Sequence, residues 1–163
     1  MPLSKSLNAR LNEQITNEFY SAQVYLAMSC MFEDLGLKVL AALYRKQAAE
    51  EREHGLKFVK YIPDVEGRVE LQAIAAPSAK YSSVLAAIEA ALAHERKVTQ
   101  QIHDLMALAL EEKDYATQAF LQWFVTEQVE EVGTQLQLVQ AAKLAGDRLL
   151  HLEAYVAQSG LLK

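Results

Sequence analysis

Four long segments of this 163-residue chain repeat apolar side chains at spacings of three and four residues. That spacing gathers the apolar side chains on one face of an α-helix, so each segment predicts an amphipathic helix. Six glycines and three prolines are too few for a turn-rich β fold. The pattern predicts an all-α chain with helices over about residues 6–35, 38–62, 82–111, 115–144 and 148–158, the last of them short.

The connections between the helices set their topology. Gly36 ends the first helix, and the polar turn 111–114 separates the third from the fourth, so both pairs form antiparallel hairpins. The second helix is expected to stop before Pro63, and the connection 63–80 is long enough to cross the bundle lengthwise. We therefore expect one domain over residues 1–163, a four-helix bundle of two hairpins joined by a long crossover, with a short fifth C-terminal helix.

Single residues add local expectations. Ser82 or Ser83 should cap the third helix and Asp147 the fifth, because short oxygen-bearing side chains accept hydrogen bonds from the first N–H groups of a helix. Cys30 is the only cysteine, which excludes an intramolecular disulfide and a thiolate cage for a metal. We expect Cys30 to be a small buried hydrophobe.

The charge and the hydrophobicity of the chain limit the classes of partner that it can bind. A net charge of −5 and the absence of a basic stripe disfavour nucleic acid. No apolar run is long enough to cross a membrane, and the first residues lack the apolar stretch of a signal peptide. We expect a cytoplasmic protein that contacts neither nucleic acid nor membrane.

Each of the four long helices also carries a carboxylate on the face that should be apolar. These residues are Glu18, Glu51, Glu95 and Glu131. Burying one unpaired carboxylate costs several kcal/mol, and four close together would also repel one another. Such a set survives only if the groups hold protons or if a cation neutralises them.

The depth of the inward polar residues can be counted from the two hairpin turns. In the first hairpin these residues are Glu18, Glu51 and His54. They lie 15 to 18 residues from Gly36, or about 22–27 Å along a helix. In the second hairpin they are Glu95, Gln128 and Glu131. These lie 16 to 19 residues from Glu112, or about 24–28 Å along a helix. Both hairpins therefore bring their polar residues to the same depth, near the middle of the bundle.

Four carboxylates and one imidazole suit two divalent ions of a fairly hard transition metal. Glu51 can be reached from both sides and is the natural bridge, and His54 shares its helix face. The imidazole nitrogen favours iron over calcium or magnesium, although zinc would accept the same ligands. The other histidines are interpreted as ordinary core or surface groups: His94, His103 and His151.

At these residues the chain resembles the non-haem ferritins of bacteria and archaea, over essentially its whole length. The matching motifs are Leu11-Asn12-Glu13-Gln14 with Glu18, Glu50-Glu51-Arg52-Glu53-His54, His94-Glu95, and the run from Phe120 to Glu131. The resemblance implies a ferritin-like four-helix bundle. It also implies a ferroxidase, an enzyme that oxidises Fe(II) with O2, within a homo-oligomeric shell of 24 subunits that stores Fe(III) mineral.

The resemblance also assigns roles. One iron would be held by Glu18, Glu51 and His54, and the second by Glu51, Glu95 and Glu131, with Gln128 beside it. A third, cavity-side iron would be held by Glu50, Glu127, Glu130 and Glu131. Tyr25 would be a one-electron donor beside the centre, although a core tyrosine whose hydroxyl bonds a ligand carboxylate explains it as well.

Two differences within the family narrow the expectation. Haem-containing relatives place a second Glu-x-x-His on the fourth helix and a methionine after the glutamate of the second helix, where this chain has Gln128-x-x-Glu131 and Arg52. Haem is therefore not expected. Many relatives continue the acidic run of the fourth helix, where this chain has Val132-Gly133, which could alter the cavity-side path of iron.

Two other functions use similar residues. A di-iron oxidase or oxygenase acting on an organic substrate would share the ligands but need an apolar pocket beside the metals. A structural or regulatory helical bundle would bind no metal at all.

Overall fold

The computed structural model describes residues 2–78 and 80–162. Its helices are α1 (Lys5–Asp34), α2 (Lys38–Asp64), α3 (Val84–Glu111), α4 (Tyr115–Ala145) and α5 (Leu149–Gln158). The most extensive contacts join α1 to α2 and α3 to α4, α1 also packs on α3, and α5 packs on α4 and α2. The predicted all-α bundle of two hairpins with a short fifth helix is confirmed. No helix in the two described ranges is both long and apolar enough to span a membrane.

Side chains cap α1, α3 and α4, whereas α2 and α5 begin without a side-chain cap. Ser83 caps α3, its hydroxyl accepting a hydrogen bond from the Ala86 N–H at 3.0 Å, and Gly36 ends the first hairpin helix with a φ of +76°. The prediction that Asp147 caps α5 is wrong. Arg148 occupies that position and makes no side-chain hydrogen bond to the helix.

The predicted end of α2 before Pro63 is also wrong, because α2 continues to Asp64. A proline in the last turn removes one N–H and leaves the rest of the helix intact. The reversal comes after it, at Glu66 with a φ of +59°. The Gly67 N–H then donates to the Ile62 carbonyl at 2.9 Å.

The crossover between α2 and α3 is tied to α1 by two asparagines. The Asn8 Oδ1 accepts from the Arg68 N–H at 2.8 Å. The Asn12 side chain donates to the Arg68 carbonyl at 2.8 Å and accepts from the Glu70 N–H at 2.6 Å. These bonds supply partners for a backbone that forms no helix or strand between the described residues 67 and 78.

The apolar core consists of two clusters, one on each side of a polar layer. One cluster contains Phe32 and Leu138 and lies toward the Gly36 turn, and the other contains Leu11 and Phe58 and lies toward the opposite end. Between them along the helices come the buried polar side chains. These include Glu18, Gln47, Glu51, His54, Glu95, Gln128 and Gln135.

Cys30 is exposed, which contradicts the expectation that it is buried. Ser29 and Phe32 are buried and define the inward face of α1 at this point. One residue in a helix corresponds to a rotation of about 100°, so Cys30 points away from that face.

Substituting alanine for each of two helical glycines is expected to change the free energy of unfolding in opposite directions. A Cβ at Gly55 would lie 2.5 Å from the Phe19 ring, whereas a Cβ at Gly133 would meet nothing within 4 Å. Gly55→Ala should therefore lower the free energy of unfolding by about 1–3 kcal/mol through overpacking. Gly133→Ala should raise it by about 0.5–1 kcal/mol through helix propensity. Denaturant unfolding measures both, and equal effects would contradict the close contact of α1 with α2.

Candidate metal site

The inward carboxylates of the four long helices converge in the polar layer. Glu18, Glu51 and Glu95 are almost fully buried, at 1–2% exposure, and His54 is 4% exposed. Glu131 is half-buried, with 14% of its side chain exposed. The side chains that share one depth in the sequence therefore also meet in space.

Their ligand-type atoms form overlapping groups. Within each group all the atoms lie within 4.8 Å of one another. The groups are Glu18, Glu51 and His54; Glu51, Glu95 and Glu131; and His54, Glu127 and Glu131. Because Glu51 belongs to the first two groups, its carboxylate lies between two positions that could each hold a metal ion.

Three oxygens of these carboxylates have no hydrogen-bond donor. They are Glu18 Oε2, Glu51 Oε2 and Glu131 Oε2, which with Gln101 Oε1 are the buried side-chain atoms lacking such a partner among the described residues. Native proteins rarely leave buried polar atoms unsatisfied. Each of the three residues belongs to at least one of the groups that could hold a metal ion, and a divalent cation would supply the missing partner.

His54 contributes a neutral imidazole. Its Nδ1 lies 3.3 Å from Glu51 Oε2 and 3.7 Å from Glu131 Oε1. Burial lowers the pKa of His54 to about 4, and the nearby Lys57 charge adds to the effect. The ring is therefore uncharged at neutral pH, so these contacts are not ion pairs, and a ring nitrogen can offer its lone pair to a metal.

The carboxyl groups have the opposite shift. Burial is the largest cause in each case: the pKa of Glu18 is raised to about 7 and that of Glu131 to about 10. Burial and the neighbouring Glu131, Glu18 and Glu95 also raise the pKa of Glu51 well above its ordinary value. Without a cation the site therefore retains protons at neutral pH, and a bound metal would displace them.

Two of these carboxylates, Glu95 and Glu18, accept hydrogen bonds from neighbouring side chains. The Tyr25 hydroxyl and the Gln128 amide, the latter at 3.1 Å, donate to Glu95, and the Gln14 amide donates to Glu18 Oε1 at 2.8 Å. Gln14 had no individual role in the sequence interpretation. Its spacing of four residues from Glu18 on a shared helix face was the available signal.

The acidic residues predicted for a third iron lie beside this centre. Glu127 Oε1 is 4.0 Å from His54 Nε2, and burial, Glu130 and Glu50 raise the pKa of Glu127. Glu50, Glu127, Glu130 and Glu131 share the wall of an open pocket of about 230 Å³. The Lys46 ammonium lies 3.6 Å from Glu50 at its edge.

The remaining histidines occupy other settings. His94 is half-buried with its ring edge-on to Tyr25, and its Nε2 lies 2.7 Å from the Ser21 hydroxyl. His103 and His151 are exposed. In the described residues none of the three belongs to a group that could hold a metal.

Comparisons with known proteins agree with this geometry. Residues 8–144 match the model of the Ferritin-like domain family. A bacterial non-heme ferritin of Staphylococcus epidermidis is 45% identical over 132 residues, which cover 81% of this chain and 80% of that protein. Ferritin BfrB of Mycolicibacterium smegmatis is 37% identical over 156 residues, 96% of this chain and 86% of the relative.

Solved structures give the same result. The chain matches an open-pore ferritin from the hyperthermophilic archaeon Archaeoglobus fulgidus with a TM-score of 0.93 and 40% identity. The match covers 96% of this chain and 97% of the archaeal one.

Proposed function

The chain belongs to the family of non-haem ferritins, and on that basis we propose that it is an iron-storage subunit that oxidises Fe(II) with O2 at a di-iron centre inside its helical bundle. The observation that carries the proposal is the set of three donor-free carboxylate oxygens beside a neutral imidazole. A bundle with a purely structural function gains nothing from such a layer, because isolated buried carboxylates destabilise the fold.

The two groups that share Glu51 would each take one Fe(II) ion. Glu18, Glu51 and His54 would hold the first, and Glu51, Glu95 and Glu131 the second. Four carboxylates cancel the charge of two Fe(II) ions, which removes the repulsion within the layer. The two ions together would supply two electrons, which with two protons reduce O2 to the level of hydrogen peroxide. The protein would fix the separation of the ions and leave coordination positions open.

Tyr25 and Gln128 act on this centre through Glu95. Gln128 would fix the orientation of the Glu95 carboxylate by donating to Glu95 Oε2 and to the Thr99 hydroxyl. Tyr25 is fully buried and its hydroxyl donates to Glu95, so Tyr25 could give one further electron to O2 while its hydroxyl proton moves to that carboxylate. The same contact would also suit a tyrosine that only orients Glu95.

The acidic pocket would serve iron after oxidation. We propose that Glu50, Glu127 and Glu130, with Glu131, hold a third iron on its way from the centre to the mineral store. We also propose a 24-subunit homo-oligomeric shell, a cytoplasmic location and no haem. The support is the family membership together with the exposed Arg52, which occupies the position of the haem-binding methionine in the haem-containing relatives.

Anaerobic titration with Fe(II) followed by addition of O2 tests the proposal. The expected result is saturation at two strongly bound Fe(II) ions per subunit, then rapid O2 consumption and an absorbance rise from Fe(III). Size-exclusion chromatography of the same sample should show a large shell. Fe(II)-dependent O2 consumption in a monomer or dimer would favour the oxidase or oxygenase alternative, and no consumption at all would favour a bundle without metal function.

A further inference from the structure

Gln14 is a buried amide one helical turn before Glu18. Its side chain is 2% exposed, and its Nε2 donates to Glu18 Oε1 at 2.8 Å. Hydrogen bonds from neutral donors to an ionised carboxylate are stronger than those between neutral groups. The contact therefore restrains the rotation of the Glu18 carboxylate inside the core.

A neighbouring side chain fixes which end of this amide faces the carboxylate. Asn17 Nδ2 donates to Gln14 Oε1 at 3.2 Å, so the carbonyl end of Gln14 already has a donor. If the Gln14 amide were flipped, two N–H groups would face each other at Asn17 and two oxygens would face each other at Glu18. The Asn17 contact therefore keeps the donor end directed at Glu18.

The two oxygens of the Glu18 carboxylate therefore differ in their hydrogen bonding. Oε1 accepts from Gln14, whereas Oε2 has no donor. Because Glu18 belongs to a group with Glu51 and His54, we infer that Oε2 is the oxygen left for a metal there. Glu95 in the other group is held in a comparable way by Gln128. Each candidate metal position thus has one carboxylate oriented by a buried amide.

We propose that Gln14, oriented by Asn17, is a positioning residue for the metal site formed by Glu18, Glu51 and His54. This inference rests on the proposed function of that site. Removing a side chain that orients a metal ligand typically lowers the metal affinity about 10–100-fold. Gln14→Leu should therefore weaken one of the two Fe(II) sites by about that factor and leave the other near its original affinity.

Anaerobic calorimetric titration of the assembled protein with Fe(II) measures this effect without turnover. A double-mutant cycle shows whether Gln14 acts through Glu18. Gln14→Leu should lower the affinity in the wild-type background and have little further effect in a Glu18→Gln background. Equal losses in both backgrounds would overturn the proposal, since they would show that Gln14 acts on the site by another route.

A matched control separates positioning from general packing. Gln135→Leu removes another buried amide, one whose partners are Tyr44 and Gln47 and not a carboxylate. Both leucine variants should change the free energy of unfolding, but only Gln14→Leu should change Fe(II) affinity. If Gln14→Leu does not fold, Asn17→Asp gives the second route: the new carboxylate turns the amide around, and the same site should weaken.

These measurements distinguish a failure of the proposed function from a failure of the positioning role. If the wild-type protein binds no Fe(II) strongly, the proposed function fails. If the wild type binds two Fe(II) ions and both Gln14→Leu and Asn17→Asp bind them equally well, only the positioning role is wrong.

Discussion

Glu51→Gln is expected to abolish strong binding at both Fe(II) positions and to slow the O2-dependent oxidation of Fe(II) at least about 100-fold. The physical reason is that Glu51 belongs to both groups proposed to hold Fe(II), so one substitution removes a proposed ligand and a negative charge from each. A lost ligand should cost more than the 10–100-fold typical of a residue that only orients a ligand. Stopped-flow absorbance and an oxygen electrode measure the rate.

The substitution should leave the assembly intact. Glutamine keeps the shape of the buried side chain and removes a group whose pKa burial raises well above its ordinary value, so the fold loses no favourable charge. Size-exclusion chromatography should therefore show unchanged oligomers. A loss of rate that accompanied disassembly would leave the shell, and not the ligand, as the cause.

Glu53→Gln is the matched control on the same helix. Glu53 is exposed, with 67% of its side chain accessible, and it belongs to no metal-sized group among the described residues. The control should keep the wild-type rate. Wild-type oxidation in Glu51→Gln would remove Glu51 from the mechanism, and His54→Ala would then show whether any part of the site is used.

The convergence of the polar layer could be predicted because the position of a residue along a helix follows from its number in the sequence. A fixed rise and a fixed rotation per residue convert the positions of Glu18 and Glu51 into a depth and a direction. The hairpin turns at Gly36 and Glu112 supply the common origins. The resulting layer is present in the structure, whereas the role of its members as iron ligands stays a prediction.

Features that depend on side-chain rotamers or on loops were not accessible to this counting. The bond from Gln14 to Glu18 needs one rotamer of each side chain, and the two bonds from Asn12 to the crossover join residues 56 and 58 positions apart. Cys30 shows a different limit. Free cysteines are usually buried, but the helix phase set by Ser29 and Phe32 decides its exposure.

The metal-free protein is expected to lose stability as the pH rises from about 6.5 to 9. The pKa of Glu18 is raised from 4.5 to about 7 and that of Glu131 to about 10 by burial. Across this window the unfolded chain has released these protons while the folded chain still holds some of them. The folded state therefore binds more protons, and raising the pH favours unfolding by up to about 1.4 kcal/mol per pH unit for each proton retained.

Below pH 6.5 two histidines act on stability in the opposite direction. Burial lowers the pKa of His54 and of His94 from 6.5 to about 4, so the unfolded chain binds these protons first as the pH falls. Their contribution to stability is present above 6.5 and is lost toward 4. Well above 6.5 His54 and His94 are neutral in both states, and the buried carboxyl groups determine the slope.

Denaturant unfolding at a fixed protein concentration measures the slope, with Glu131→Gln as the informative variant. The metal-free variant should be more stable than the wild type at pH 8–9 and should have a shallower slope, because one buried carboxyl group no longer titrates. The exposed Glu53→Gln serves again as the control and should leave both unchanged. A wild-type stability that rises with pH between 6.5 and 9 would contradict the idea that the layer is built from protonated carboxyl groups.

Adding Fe(II) under argon should reverse the pH dependence of the wild type. A cation must displace protons from the site, so its affinity and its stabilisation increase as the pH rises. At a free concentration of 100 times the dissociation constant, binding to the folded state alone adds about 2.7 kcal/mol per site. Glu51→Gln should show no such gain. The loss of stability in the metal-free protein and the gain in the metal-bound protein would then have one cause, since the carboxylates that destabilise the metal-free bundle would be the ligands of the cation.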